Sequence, residues 1–144
     1  MKIGIMCYPT FGGSGVVATE LGKALAEKGH SVHFITYNQP VRLEHFQENV
    51  FYHEVTVADY PLFEFAPYES ALTSKLVDVA RFENLDLVHV HYAVPHASVA
   101  YMAKQILAEH LSADEGVCLR VHEAQDLAEY GMSAESHQGP RARH

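Results

Sequence analysis

Gly12, Gly13, Ser14 and Gly15 form the stretch GGSG, shortly after the apolar run KIGIM and directly before a helical pattern. Glycine lets a backbone approach a ligand closely, and the free amides at a helix N-terminus point at negative charge. The chemistry on offer is therefore the holding of a phosphate or carboxylate. Gly13, Gly15 and Ala18 also stand at the G-x-G-x-x-[GA] spacing of a dinucleotide-binding turn. A nicotinamide dinucleotide would ask in addition for an acid at the end of the second strand, to hold the ribose hydroxyls. That position reads Thr36, Tyr37, Asn38, with no acid, and Arg42, which could meet a 2′-phosphate, follows a proline-containing loop. An NAD(P) site is thereby weakened, and a plain tight turn without a ligand stays open beside it.

A second group of candidates is His89, His91 and His96, with Tyr92 among them. His89 and His91 fall on one side of a strand, as a metal pair would. No third ligand and no carboxylate stands at a convincing spacing, so the histidines read as packed strand residues, pocket lining or helix caps, and no metal is expected. Cys7 and Cys118 fit no metal or redox spacing and read as small apolar residues.

The bulk composition narrows the partners. With 144 residues and 48% hydrophobic content, the chain can bury one sizeable core, as one compact domain or a piece of a larger protein. A formal net charge of −8 argues against nucleic acid, whose phosphates are held by excess lysine and arginine. No apolar stretch approaches the roughly 20 residues that span a bilayer, and the first apolar run is too short for a secretory signal. The expectation is a cytoplasmic protein that acts on small molecules, away from membranes.

The elements that must position these residues alternate. KIGIMCY suits a buried strand, and GVVATELGKALAEKGH a helix with Val17, Leu21, Ala24 and Leu25 on one face, ending at Gly29. SVHFITY and VFYHEVTV read as the next strands, followed by an aromatic, proline-punctuated loop of the length that often carries function. ESALTSKLVDVARFEN groups Leu72, Leu76, Val79 and Ala80 on a helix face and leads into the strand LDLVHVHY. PHASVAYMAKQILAEHL then reads as a further amphipathic helix beginning at Pro95. The fold class is α/β, a Rossmann-like doubly wound parallel sheet, in which ligands gather beyond the carboxyl ends of the strands.

The segments carrying CYP, GGSG, PYE and HVHYAVPHA, running almost without gaps from Met1 to about Leu107, resemble the N-terminal half of the GT-B fold in the family 4 glycosyltransferases. The likeness is to the malate-using type that serves bacillithiol synthesis. It implies transfer of N-acetylglucosamine from UDP-N-acetylglucosamine to L-malate with retention of configuration, without a cofactor. It implies that Gly13, Ser14 and Gly15 face the donor phosphates and the acceptor, and that Tyr92 lies where malate is met. A dicarboxylate wants donors around it, which backbone amides and the hydroxyls of Ser14 and Tyr92 supply. In this family the leaving phosphate is commonly held to take the acceptor's proton, so no catalytic base is assigned to the chain.

The likeness ends after Leu107. A family member would continue with a strand and a T-x-L-H-G-T-D loop; here the chain reads SADEGVCLRVHEAQD, and His122 does not inherit that loop's role. Residues 1–110 are expected to be the acceptor-side domain and 111–144 a divergent, partly disordered tail, with the nucleotide-sugar domain absent. The unfinished sheet predicts exposed apolar surface and self-association into a homo-oligomer. A family 4 enzyme with another acceptor, or a non-catalytic Rossmann-like binding module, are the alternative readings.

Overall fold

The computed structural model describes residues 1–43, 47–58, 61–62, 64–110 and 120–123. β-Branched runs form β1 (Lys2–Met6) and β2 (Ser31–Thr36), with α1 (Gly13–Glu27) between them. β3 (Val50–Glu54), α2 (Tyr68–Glu83) and β4 (Leu87–Val90) follow, then α3 (Ser98–His110) and β5 (Arg120–Glu123). All pairings are parallel, in the order β3-β2-β1-β4-β5. β5 lies within the stretch expected as tail, and it pairs with β4 from Leu87↔Arg120 to Val90↔Glu123. The rest of 111–144 lies outside the described residues.

Alternate strand residues face opposite layers. Met6, Ile35, Val88 and Val90 pack with Leu72, Leu76, Val79 and Ala80 of α2 and Val99, Ala103 and Leu107 of α3. Ile3, Ile5, Cys7, Val32 and Phe34 pack on the other side with Ala18 and Ala26 of α1. Both faces of the sheet are thus covered, as the continuous apolar runs of its central strands require. The α2 face matches the sequence expectation.

The α1 face matches only in part: Leu25 packs against the core, but Val17 and Ala24 do not. Gly15, Ala18, Thr19, Gly22 and Ala26 are buried, whereas Val17 is 59% exposed and Ala24 also faces solvent. The helix lies so close to the sheet that small residues must line the contact: a Cβ on Gly22 would stand 2.3 Å from Cζ of Phe34. Proximity replaces bulk on this side of the core.

Local chemistry sets the ends. Gly29 (φ 85) and Asn84 (φ 55) take the left-handed conformation that closes α1 and α2. The Asp86 carboxylate accepts the Lys2 N–H at 2.7 Å and so aligns the starts of β1 and β4. α3 begins at Ser98 rather than Pro95, because Ala93–Ala97 forms a wide π-type turn in which Val94 is extended (φ −121, ψ 126). A residue before proline is pushed out of the helical region, which delays the helix.

Candidate functional site

In a sheet ordered 3-2-1-4-5 the direction of winding reverses between β1 and β4, and a crevice opens beyond their carboxyl ends. Tyr8 leaves the end of β1 and Tyr92 the end of β4. Their rings meet edge to face at 5.3 Å. The glycine-rich loop returns to the same place: a Cβ on Gly15 would stand 2.5 Å from the Tyr8 carbonyl oxygen and 2.6 Å from that of Thr10. Gly15 is therefore required by the backbone beneath it. Gly13 has open space where its Cβ would be, and Ser14 is half-buried.

Among the described residues no side chain caps the start of α1, and its first turn holds no acid. Gly12 accepts the N–H groups of Gly15 and Val16, at 3.1 and 3.3 Å, which leaves the first amides directed outward. The start of α2 differs, because Glu69 stands in its first turn. An anion is therefore favoured at α1 and opposed at α2.

Tyr92 holds φ 90 and ψ 128, a conformation that a non-glycine residue adopts at a cost of about 1–3 kcal/mol. The Tyr8 and His96 rings support it from one side, with Tyr8 and His96 at 4.7 Å from each other. His96 is fully buried, and its Nδ1–H donates to the His91 carbonyl oxygen at 2.6 Å. Nε2 is then the acceptor, facing the Tyr68 hydroxyl at 3.4 Å. Burial draws His96 below the usual imidazole range, partly offset by the bond to His91.

Burial also raises the Tyr8 phenol, with Tyr37, Tyr92 and Glu69 adding to it, and raises Tyr68 further, helped by Tyr8, Tyr37 and Cys7. Both stay protonated at neutral pH and serve as donors. A cavity of about 560 Å³ runs beside them, lined by Tyr8, Pro67, Tyr68, Glu69, Val94 and Pro95 among others. The Glu69 carboxylate makes it a poor seat for an anion. The start of α1, with no acid in its first turn, lacks that opposing charge.

The structure thus brings the glycine loop and Tyr92 to one edge through Tyr8. His89 and His91 lie side by side, with ring centroids at 4.7 Å, and burial lowers His91, with His96 adding to the effect. His91 Nε2 is buried with no hydrogen-bond partner among the described residues. His122 sits in β5 opposite His89 in register. Cys7 is buried and its thiol is pushed up to about 12 by desolvation, so it is an inert core residue. Arg42 reaches Glu20 at 3.9 Å, and the Thr36 hydroxyl donates to the Asn38 carbonyl oxygen at 2.5 Å. Tyr8, Tyr68 and Glu69 carry no spacing signal that singles them out in the sequence, although CYP and PYE contain all three.

Fold and site together define a Rossmann-like half in which a glycine loop and a strand-end tyrosine share the switch-point crevice. Residues 11–111 match Glycosyltransferase Family 4, and the chain belongs to that family. It is similar to the N-acetyl-alpha-D-glucosaminyl L-malate synthase of Bacillus anthracis, with 58% identity over 111 residues. That alignment covers 77% of this chain and 29% of the relative, so the chain spans less than a third of its length. Among solved structures, the C-terminal domain of a hydrogenase from Pyrococcus furiosus is alike in fold alone. There the TM-score is 0.50 and the identity 19%, over 84% of this chain and 90% of that one. Among the described residues no helix is long and apolar enough to cross a membrane.

Proposed function

We propose that this chain is the acceptor-side part of a retaining glycosyltransferase that moves N-acetylglucosamine from UDP-N-acetylglucosamine to L-malate. The observation that carries the reading is the start of α1, which no described side chain caps and whose Gly15 closes on the Tyr8 carbonyl, while the Tyr8 ring together with His96 holds the costly backbone conformation of Tyr92. Malate presents two carboxylates and a hydroxyl. Amides of the glycine loop, the Ser14 hydroxyl and the Tyr92 hydroxyl supply donors for them.

As the bond to the anomeric carbon breaks, negative charge grows on the departing diphosphate. The start of α1 favours that charge through its dipole and its free amides, which need no reorganisation at the moment of reaction. The leaving phosphate takes the proton of the malate hydroxyl, so a protein base is not required in this half. Most of the grip on the nucleotide belongs to the second lobe of such enzymes.

The test is calorimetric titration of the folded chain with L-malate, UDP-N-acetylglucosamine and NAD. Malate binding that weakens about five-fold or more in both Ser14→Ala and Tyr92→Phe is the expected result, since each variant loses a hydrogen bond to a charged group. Malate binding unchanged by both substitutions, or NAD binding in its place, would refute the reading.

A further inference from the structure

β2 and β3 pair with His33↔Phe51 and Ile35↔His53, so His33 and His53 share the face of the sheet that α2 covers, one step apart diagonally. The last residue of α2, Glu83, comes to the same place. Lys2 pins that end of the helix to β1, its Nζ donating to the Glu83 carbonyl oxygen at 2.7 Å. One ligand atom from each of His33, His53 and Glu83 lies within 4.8 Å of the others. No other trio of histidine, cysteine or carboxylate ligands among the described residues converges in this way.

The geometry points to a binding site for a divalent transition metal of the zinc class, held by His33, His53 and Glu83. Two imidazole nitrogens and one carboxylate make the donor set that zinc takes with an open fourth position. Nitrogen donors select it over magnesium or calcium, which want oxygen. His33 Nδ1 and His53 Nε2 stand 2.9 Å apart, with ring centroids at 5.2 Å and planes at 19°. The rings are nearly head to head, and one N–H bridges them. Around a tetrahedral ion with bonds of about 2.0–2.1 Å the two nitrogens would stand about 3.3 Å apart. The metal-bound state thus needs a small opening, a swing of the His53 ring, and a tautomer shift in whichever imidazole now donates, with its proton moving to the far nitrogen.

His53 is free to make that movement. It is half-buried and borders a cavity of about 660 Å³ together with Glu83, Asp78, Lys75, Arg81 and Phe82. The cavity gives an ion a way in, and Asp78 places a second carboxylate there. Lys75, Arg81 and, beside His33, Lys2 oppose a cation, so Glu83 and Asp78 must outweigh them. The trio is at the far end of α2 from Tyr68, about 20 Å along the helix at 1.5 Å per residue. A metal here would fasten α2 to the β2–β3 edge, and the site is independent of the transfer reading.

Zinc chloride titrated into the full chain, with cobalt as a spectroscopic stand-in, tests the site. Because the sequence carries 11 histidines, the tail double variant His137→Ala/His144→Ala serves as a control for adventitious binding. Expected are one tight equivalent in the wild type and in the tail variant, a tetrahedral cobalt spectrum, and a zinc-dependent rise in Tm. In His53→Gln and Glu83→Gln, chosen because both side chains are only half-buried, affinity should fall about ten-fold or more. Circular dichroism checks their folding. Absence of zinc binding, equal affinity in both site variants, or loss of the equivalent in the tail variant instead would overturn the proposal.

Discussion

At the scale of single residues, the glycines of GGSG divide by what lies under them. Gly15 is closed in by two carbonyl oxygens, at 2.5 and 2.6 Å from where a Cβ would stand, and these belong to backbone that has little room to yield. A Cβ on Gly13 would meet nothing within 4 Å among the described residues. Gly15→Ala should therefore destabilise the chain by about 1–3 kcal/mol in urea unfolding. Gly13→Ala should leave stability unchanged or raise it by about 0.5–1 kcal/mol, since alanine is the better helix residue. If Gly13 also lets malate approach, the same variant should lose malate affinity while keeping its midpoint. Equal unfolding midpoints for both variants would contradict the close approach at Gly15. From sequence the two glycines are indistinguishable, because spacing shows that a turn needs glycine and not which one touches its own backbone.

At the scale of elements, the strands and α2 are legible because apolar residues recur with the period of the element and face a layer. α1 is only partly legible, with Leu25 of the expected face meeting the core, and for a physical reason. Its sheet-facing side is made of glycine, alanine and threonine, and a search for bulky residues at helical spacing selects Val17 and Leu21 instead. The turn after β4 reads as helix from its sequence, whereas its actual shape presents Tyr92 on one side and buries His96 on the other. Burial lowers both His91 and His96. Unfolded, each titrates near 6.5, whereas the folded chain binds those protons only at lower pH. Stability is then complete above about pH 6.5 and declines as pH falls below it. His33 and His53, also lowered chiefly by burial, act with the same sign. Urea midpoints taken stepwise from about pH 8 to 5 should fall, and the slope should be shallower in His96→Asn, which keeps a donor toward the His91 carbonyl without a titrating ring. A midpoint that is flat or rises on acidification would rule this out.

At the scale of the whole molecule, the described residues wall the crevice with the loops that follow β1 and β4. Phe11, Leu62, Phe65 and Val94 are 89%, 81%, 81% and 71% exposed, and Phe11 and Val94 flank the loops that carry GGSG and Tyr92. Single exposed apolar side chains are ordinary, but two that flank the loops of one site want a cover. In a two-lobed transferase the facing lobe both covers such a wall and grips the nucleotide, and this chain matches 29% of its relative. Catalysis draws on closure that aligns donor and acceptor, an advantage of about 7–11 kcal/mol in well-oriented systems. This chain alone should therefore show no L-malate-dependent release of UDP above the reaction without protein. It should also elute from size exclusion as concentration-dependent oligomers, its apolar wall buried against other copies. The two outcomes are separate. Turnover by a monomer would mean that this crevice suffices for the chemistry. A monomer at all concentrations without turnover would mean that the exposed apolar side chains tolerate water and that this chain by itself does not hold the donor.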